Sequence, residues 1–190
     1  MQVVERITKE TQIKIELEIN GTGQSEIETG IGFFDHMLEA FSKHSLIDMK
    51  LTCKGDTHID FHHSVEDVGI VLGQALRASI YPIAGVERYG NAVVVMDEAA
   101  VECALDLSNR PYLVYDVAME GKVGAFDVEL SEEFFRAVMS HAGISAHIIA
   151  CRGKNKHHLL EAAFKAFAVA LRRSLVPNAR VGIPSTKGVL

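Results

Sequence analysis

The chain has 190 residues, of which 48% are apolar and 23% charged, with a formal net charge of −6. That is enough apolar matter for a sizeable core and excludes a disordered chain. The acidic balance, with lysines and arginines scattered rather than striped, excludes a general affinity for nucleic acid, so an anionic ligand must meet a local cluster.

Cys53, Cys103 and Cys151 form an odd set without C-x-x-C spacing, which argues against a secreted disulfide scaffold and for a reducing compartment. Residues 1–6 lack the apolar stretch of a signal peptide, and no apolar run approaches the roughly 20 residues of a spanning helix. A soluble cytoplasmic protein with no membrane partner is expected.

In chain order, Ile13, Ile15, Leu17 and Ile19 alternate with polar residues as a half-buried strand does. Asn20-Gly21-Thr22-Gly23 supplies turn chemistry before a second strand at Ile27. Helical spacing follows over 33–43, then a short strand over 49–53 and a longer helix over 62–80. The stretch 81–100 holds an apolar run at 92–96 and no Pro/Gly/Ser-rich linker. Val101, Cys103, Leu105 and Leu107 then alternate, and Ser108-Asn109-Arg110-Pro111 turns into a strand over 112–117. A helix over 131–140 follows, with Ser131 as its N-cap and Glu132 and Glu133 in its first turn. A strand over 146–151 and a helix over 157–175 complete the chain.

The second series repeats the first. His62-His63-Ser64-Val65-Glu66 returns ninety-five residues later as His157-His158-Leu159-Leu160-Glu161. Ala75-Leu76-Arg77 matches Ala170-Leu171-Arg172, Cys53-Lys54-Gly55 resembles Cys151-Arg152-Gly153, and the spacing from His36 to His44 equals that from Glu133 to His141. The expected fold is therefore α+β. Two β-β-α-β-α halves, about 1–90 and 91–190, pack as one domain, with sheets covered by helices on one face. Apolar surface left over would serve oligomerisation.

The doubled H-H-x-x-E cassette points to metal. Residues four apart share a helical face, so a histidine and the glutamate can reach one ion. Adjacent histidines diverge by about 100° and cannot easily bind the same one. Two ions, each drawing on both cassettes, would use His62, His63, Glu66, His157, His158 and Glu161; His36 and Glu133, at equivalent places on the preceding helices, are further ligands. Imidazole and carboxylate together suit Mn²⁺, Fe²⁺, Zn²⁺ or Co²⁺. The spacing is not the H-E-x-x-H of metalloproteases, and His58, His141 and His147 lie outside the symmetric set.

Gly55-Asp56-Thr57-His58-Ile59-Asp60, both cassettes, Phe34-Asp35-His36-Met37-Leu38 and the tail Ile183-Pro184-Ser185-Thr186-Lys187-Gly188-Val189-Leu190 closely resemble the imidazoleglycerol-phosphate dehydratase family. So do Arg6-Ile7-Thr8-Lys9-Glu10-Thr11 and Leu105-Asp106-Leu107-Ser108-Asn109-Arg110-Pro111, so the likeness spans nearly the whole chain. It implies dehydration of imidazole glycerol phosphate to imidazole acetol phosphate in histidine biosynthesis, two Mn²⁺ per site and a homo-oligomer of about 24 subunits. By motif, one ion would take His36, His63, His157 and Glu161, and the other His62, Glu66, His158 and residue 133. The family's acid/base falls on Glu10, with Glu161 sharing the role, and its phosphate pocket on Arg88, Arg110, Lys165, Ser185 and Lys187. Many members carry His where Glu133 stands and Asp where Phe61 stands.

The implied reaction removes a carbon-bound proton and expels a neighbouring hydroxyl, which calls for acid/base groups, Lewis acids on the imidazole ring and a fixed cationic pocket for the phosphate. Two other classes fit the metal cassettes alone. One is a dinuclear metal phosphatase, and the other is a metal-binding protein without turnover.

Overall fold

The structure, a computed structural model, describes residues 1–188. Its first half runs β1 (Gln2–Ile7), β2 (Thr11–Glu18), β3 (Ser25–Glu28), α1 (Gly32–Ser45), β4 (Asp48–Gly55) and α2 (His62–Ile80). The second runs β5 (Tyr89–Met96), β6 (Ala99–Asp106), β7 (Tyr112–Asp116), β8 (Lys122–Val123), β9 (Phe126–Asp127), α3 (Leu130–Ala142), β10 (Ser145–Arg152) and α4 (Lys156–Ser174). Two four-stranded sheets result, ordered β1-β2-β4-β3 and β5-β6-β10-β7, which is the same topology twice. In each, the last-named strand pairs parallel with its neighbour and the other pairings are antiparallel.

The expected α+β repeat is present, and each β-β-α-β-α unit is led by one more strand. The run at 92–96 belongs to β5. In β1 the exposed positions Val3 and Ile7 are apolar, so the strand lacks the apolar-in, polar-out alternation that would mark it in the sequence. The small β8–β9 hairpin is a second addition. Ser131 is not the N-cap of α3, which begins at Leu130 after Glu129. Its hydroxyl donates instead to the Val128 carbonyl at 2.7 Å and lies 2.7 Å from the Tyr115 hydroxyl. A buried hydroxyl needs such partners, and these fix it one residue inside the helix.

The helices lie between the sheets. α1 packs on β3 and β4 of its own half and on α4 of the other, while α2 packs on β1, β2 and β4 and on α3. One core joins both halves, built from Ile13, Ile15 and Leu17 of β2, Val101, Cys103 and Leu105 of β6, and helix aromatics such as Phe34, Phe134, Phe164 and Phe167. Rings meet across the halves, Phe41 on Phe167 at 5.5 Å and Phe34 against Phe134 at 5.3 Å. No helix among the described residues is long and apolar enough to cross a membrane.

Candidate active site

The pairing of helices across the halves carries the histidines to common ends. Asp35, in the first turn of α1, accepts the Thr29 backbone N–H at 2.8 Å and the Thr29 hydroxyl at 2.5 Å, which fixes the start of that helix and so His36. α4 starts on Asn155, whose side chain accepts from the backbone N–H of His157 at 3.0 Å and of His158 at 3.4 Å. The two first turns meet. His36 Nε2 stands 3.4 Å and His157 Nε2 3.1 Å from Glu161 Oε2, and the three ligand atoms lie within 4.8 Å of one another. Two imidazole nitrogens and a carboxylate oxygen converging at that spacing are a donor set a borderline divalent ion accepts.

Glu161 is a buried carboxylate. Burial pushes its pKa up, but Lys165 Nζ at 2.5 Å, helped by His157 and His36, outweighs that and holds it below the ordinary carboxylate value. A carboxylate kept charged suits ligation and is poorly placed to donate a proton. Lys165 is thus engaged on Glu161, and it does not line the anion pocket described below.

α2 and α3 form the counterpart pair. Gly69 faces Phe134 and Ala137, and Gly73 faces Val138 and His141, so the two helices run parallel in register. Their first turns therefore share one end, with His62 and Glu66 on α2 and Glu133 on α3. His62 Nε2 is 3.8 Å from Glu66 Oε2 at i,i+4. The first cassette does not join the cluster of His36, His157 and Glu161. Each half thus brings its own cassette to the leading turn of the other half's first helix.

His63 and His158 stand apart from these groups, each against carboxylates. His63 Nδ1 lies 3.0 Å from Asp56 Oδ2 and 3.9 Å from Glu10 Oε2. The Asp56 contact is the main reason its imidazole pKa is raised. His158 Nδ1 lies 2.7 Å from Glu98 Oε2. Glu10 reaches His63 because the β1–β2 loop is tied down. Buried Asp67 accepts from the Thr11 hydroxyl at 2.5 Å and from Arg6 Nε at 2.9 Å. Phe61, half-buried against the core, leaves Asp60 to accept the His62 backbone N–H at 2.8 Å.

Arg88, Arg110, Ser185 and Lys187 line one cavity of about 740 Å³ together with Tyr89 and Ser108. Buried Arg88 donates to both oxygens of Asp106, at 2.7 and 3.0 Å, and to the Pro184 carbonyl at 2.5 Å. The tail is thereby fastened beside β6, with two arginines, a lysine and a hydroxyl around one space, a setting for a phosphate-sized anion. Of the tail motif, Val189 and Leu190 lie outside the described residues. Sequence reasoning passed over Asp106 and Glu98. Asp106 lay inside a quoted motif, and Glu98 in a β-turn with no pattern of its own.

The family model for imidazoleglycerol-phosphate dehydratase matches residues 29–171. The imidazoleglycerol-phosphate dehydratase of Aliarcobacter butzleri is 69% identical over 190 residues, all of both chains, and that of Wolinella succinogenes 62% over the same span. Crystal structures of the enzyme from Staphylococcus aureus and Pyrococcus furiosus superpose with TM-scores of 0.81 and 0.86, each at 39% identity. They cover 94% and 98% of this chain and 100% of their own. The chain belongs to the imidazoleglycerol-phosphate dehydratase family.

Proposed function

We propose that the protein dehydrates imidazole glycerol phosphate to imidazole acetol phosphate in histidine biosynthesis, as a metal-dependent, cytoplasmic homo-oligomer. The observation that carries the metal part is the convergence of His36, His157 and Glu161 within 4.8 Å. His36, His157, Glu161 and His63 would hold one Mn²⁺, and His62, Glu66, Glu133 and His158 the other. When bound, the ions would supply Lewis acidity toward the substrate's imidazole ring.

The chain's own groups handle the rest of the reaction. A base takes a carbon-bound proton, the hydroxyl on the adjacent carbon leaves as water, and the resulting enol tautomerises to the ketone. Exposed Glu10, beside His63, would take that proton, whereas the Glu161 oxygens are engaged by Lys165, His157 and His36. Arg88, Arg110, Ser185 and Lys187 would grip the phosphate, so that binding at the unreactive end orients the reacting one.

The oligomer, of about 24 subunits by family likeness, is supported by two features. His63 and His158 stand outside the cluster of His36, His157 and Glu161 that their own chain forms, and the outer sheet faces expose Val3, Ile7, Val93 and Val95. The free thiols Cys53 and Cys103, both buried, fit a reducing cytoplasm.

The test is a product assay. Ketone formation without phosphate release supports the dehydratase, and inorganic phosphate without ketone would establish a phosphatase instead. Removing metal with a chelator should abolish turnover, and Mn²⁺ at neutral pH should restore it, because ligating imidazoles must be unprotonated. Full activity of verified metal-free protein would refute the metal part. Tight metal uptake with no turnover would leave a metal-binding protein.

A further inference from the structure

Each half holds the second histidine of its cassette against a carboxylate, and the two carboxylates come from different places in the fold. His63 Nδ1 meets Asp56 Oδ2 at 3.0 Å, where Asp56 directly follows β4. His158 Nδ1 meets Glu98 Oε2 at 2.7 Å, where Glu98 sits in the turn between β5 and β6. The residue after the matching glycine differs between the halves, Asp56 after Gly55 but Lys154 after Gly153. The repeat therefore did not simply copy this contact. Glu98 holds the place before β6 that Glu10 holds before β2, and Glu10 also stands 3.9 Å from His63 Nδ1, so in both halves the second histidine turns Nδ1 to carboxylates.

We propose that Asp56 and Glu98 are positioning residues that fix the tautomer and aim of His63 and His158, so that each presents Nε2 to a divalent ion. This rests on the metal-dependent reading above. A carboxylate only accepts hydrogen bonds, so Nδ1 facing it carries the proton and the Nε2 lone pair points the other way, free to ligate.

Both carboxylates are held in place. Glu98 Oε1 accepts the backbone N–H groups of Lys154 at 3.1 Å and Asn155 at 2.7 Å, leaving Oε2 for His158. Asp56 is brought to His63 by a close approach of β4 to α2. A Cβ on Gly55 would lie 2.0 Å from the Ser64 hydroxyl oxygen and 3.2 Å from the Ser64 Cβ, so a larger residue would require Ser64 to shift. Among the described residues the other Asp56 oxygen, Oδ1, is buried without a hydrogen-bond partner, which leaves the contact with His63 as the one the side chain makes there. On the opposite side of His158, exposed Asp97 stands 3.8 Å from Nε2, beyond hydrogen-bond distance.

Glu98→Gln and Asp56→Asn test this in the assembled protein. Gln keeps an oxygen for the two backbone donors but turns an NH₂ toward Nδ1. That reverses the tautomer and puts the proton on the ligating nitrogen. Glu98 is exposed, so its variant is expected to fold, with circular dichroism and assembly mass as checks. Uptake of Mn²⁺ is read by electron paramagnetic resonance of the free ion, and the ligand field by the visible absorption of Co²⁺-loaded protein. Each variant should weaken one of two ions by about 10–100-fold and alter its Co²⁺ band, leaving the other ion unchanged. Wild-type loading with both variants unaltered in affinity and spectrum overturns this inference alone. Wild-type protein that takes up no ion overturns the metal reading, and the inference with it.

Discussion

Most of the Arg88 guanidinium is engaged by the protein itself. Three of its N–H groups go to Asp106 and the Pro184 carbonyl, so what it offers an anion is its charge and its remaining donors, aimed by Asp106. The aim is as much the function as the charge. Asp106→Asn keeps the volume and removes the charged acceptor, so Arg88 loses its two-point anchor and the tail its tether. Charge-assisted contacts of this kind contribute about 1.5–3 kcal/mol, so the Michaelis constant for the phosphorylated substrate should rise roughly 10–100-fold with little change in secondary structure. Arg88→Lys should do at least as much, because an ammonium cannot hold both carboxylate oxygens and a carbonyl in one plane. An unchanged Michaelis constant in both variants would remove Arg88 from the phosphate site.

At the level of elements, the α2–α3 contact constrains the site, because it sets Glu66 and Glu133 at one end. A Cβ at Gly69 would lie 2.8 Å from the Ala137 Cβ and 2.8 Å from the Phe134 carbonyl oxygen. Alanine favours an isolated helix by about 1 kcal/mol over glycine, yet forcing two packed backbones apart costs about 1–3 kcal/mol. Gly69→Ala should therefore lower stability to urea and lower metal uptake together. Gly182→Ala, where a Cβ meets nothing within 4 Å, should leave both unchanged. The helices were readable because their apolar residues recur every three to four positions. β2, β4 and, from Val101 on, β6 were readable because buried apolar residues alternate along them, an alternation that β10 holds only over Ala146–Ile148. β1 was not, because its exposed Val3 and Ile7 obscure the alternation, and the two-residue strands β8 and β9 are too short to hold a pattern. Ser131 fitted an N-cap by residue type, but the pull of Val128 and Tyr115 on its hydroxyl is tertiary and lies outside local sequence.

Across the whole molecule, the internal duplication explains why the ligand residues stand out in the sequence, whereas which helices carry them together rests on family likeness and on packing. The cassettes and the equivalence of His36 with Glu133 are periodic features and stand out in the sequence. That α1 pairs with α4, and α2 with α3, is a property of packing between halves. Within one chain, His36, His157 and Glu161 converge while His63 and His158 face their own carboxylates. If His63 of one copy completes the three-ligand cluster of another, sites must form between copies, and activity becomes a property of pairs. A His63→Ala chain retains the three-ligand cluster and lacks the donated imidazole; a His157→Ala chain retains the donated imidazole and lacks the cluster. Each alone should be nearly inactive. Dissociated, mixed in equal amounts and reassembled, the two should pair an intact cluster with an intact His63 at about one site in four by random association. About a quarter of wild-type activity should therefore return, rising with the protein concentration used for reassembly. A mixture as inactive as its components, at verified full assembly, would show instead that each chain closes its own site.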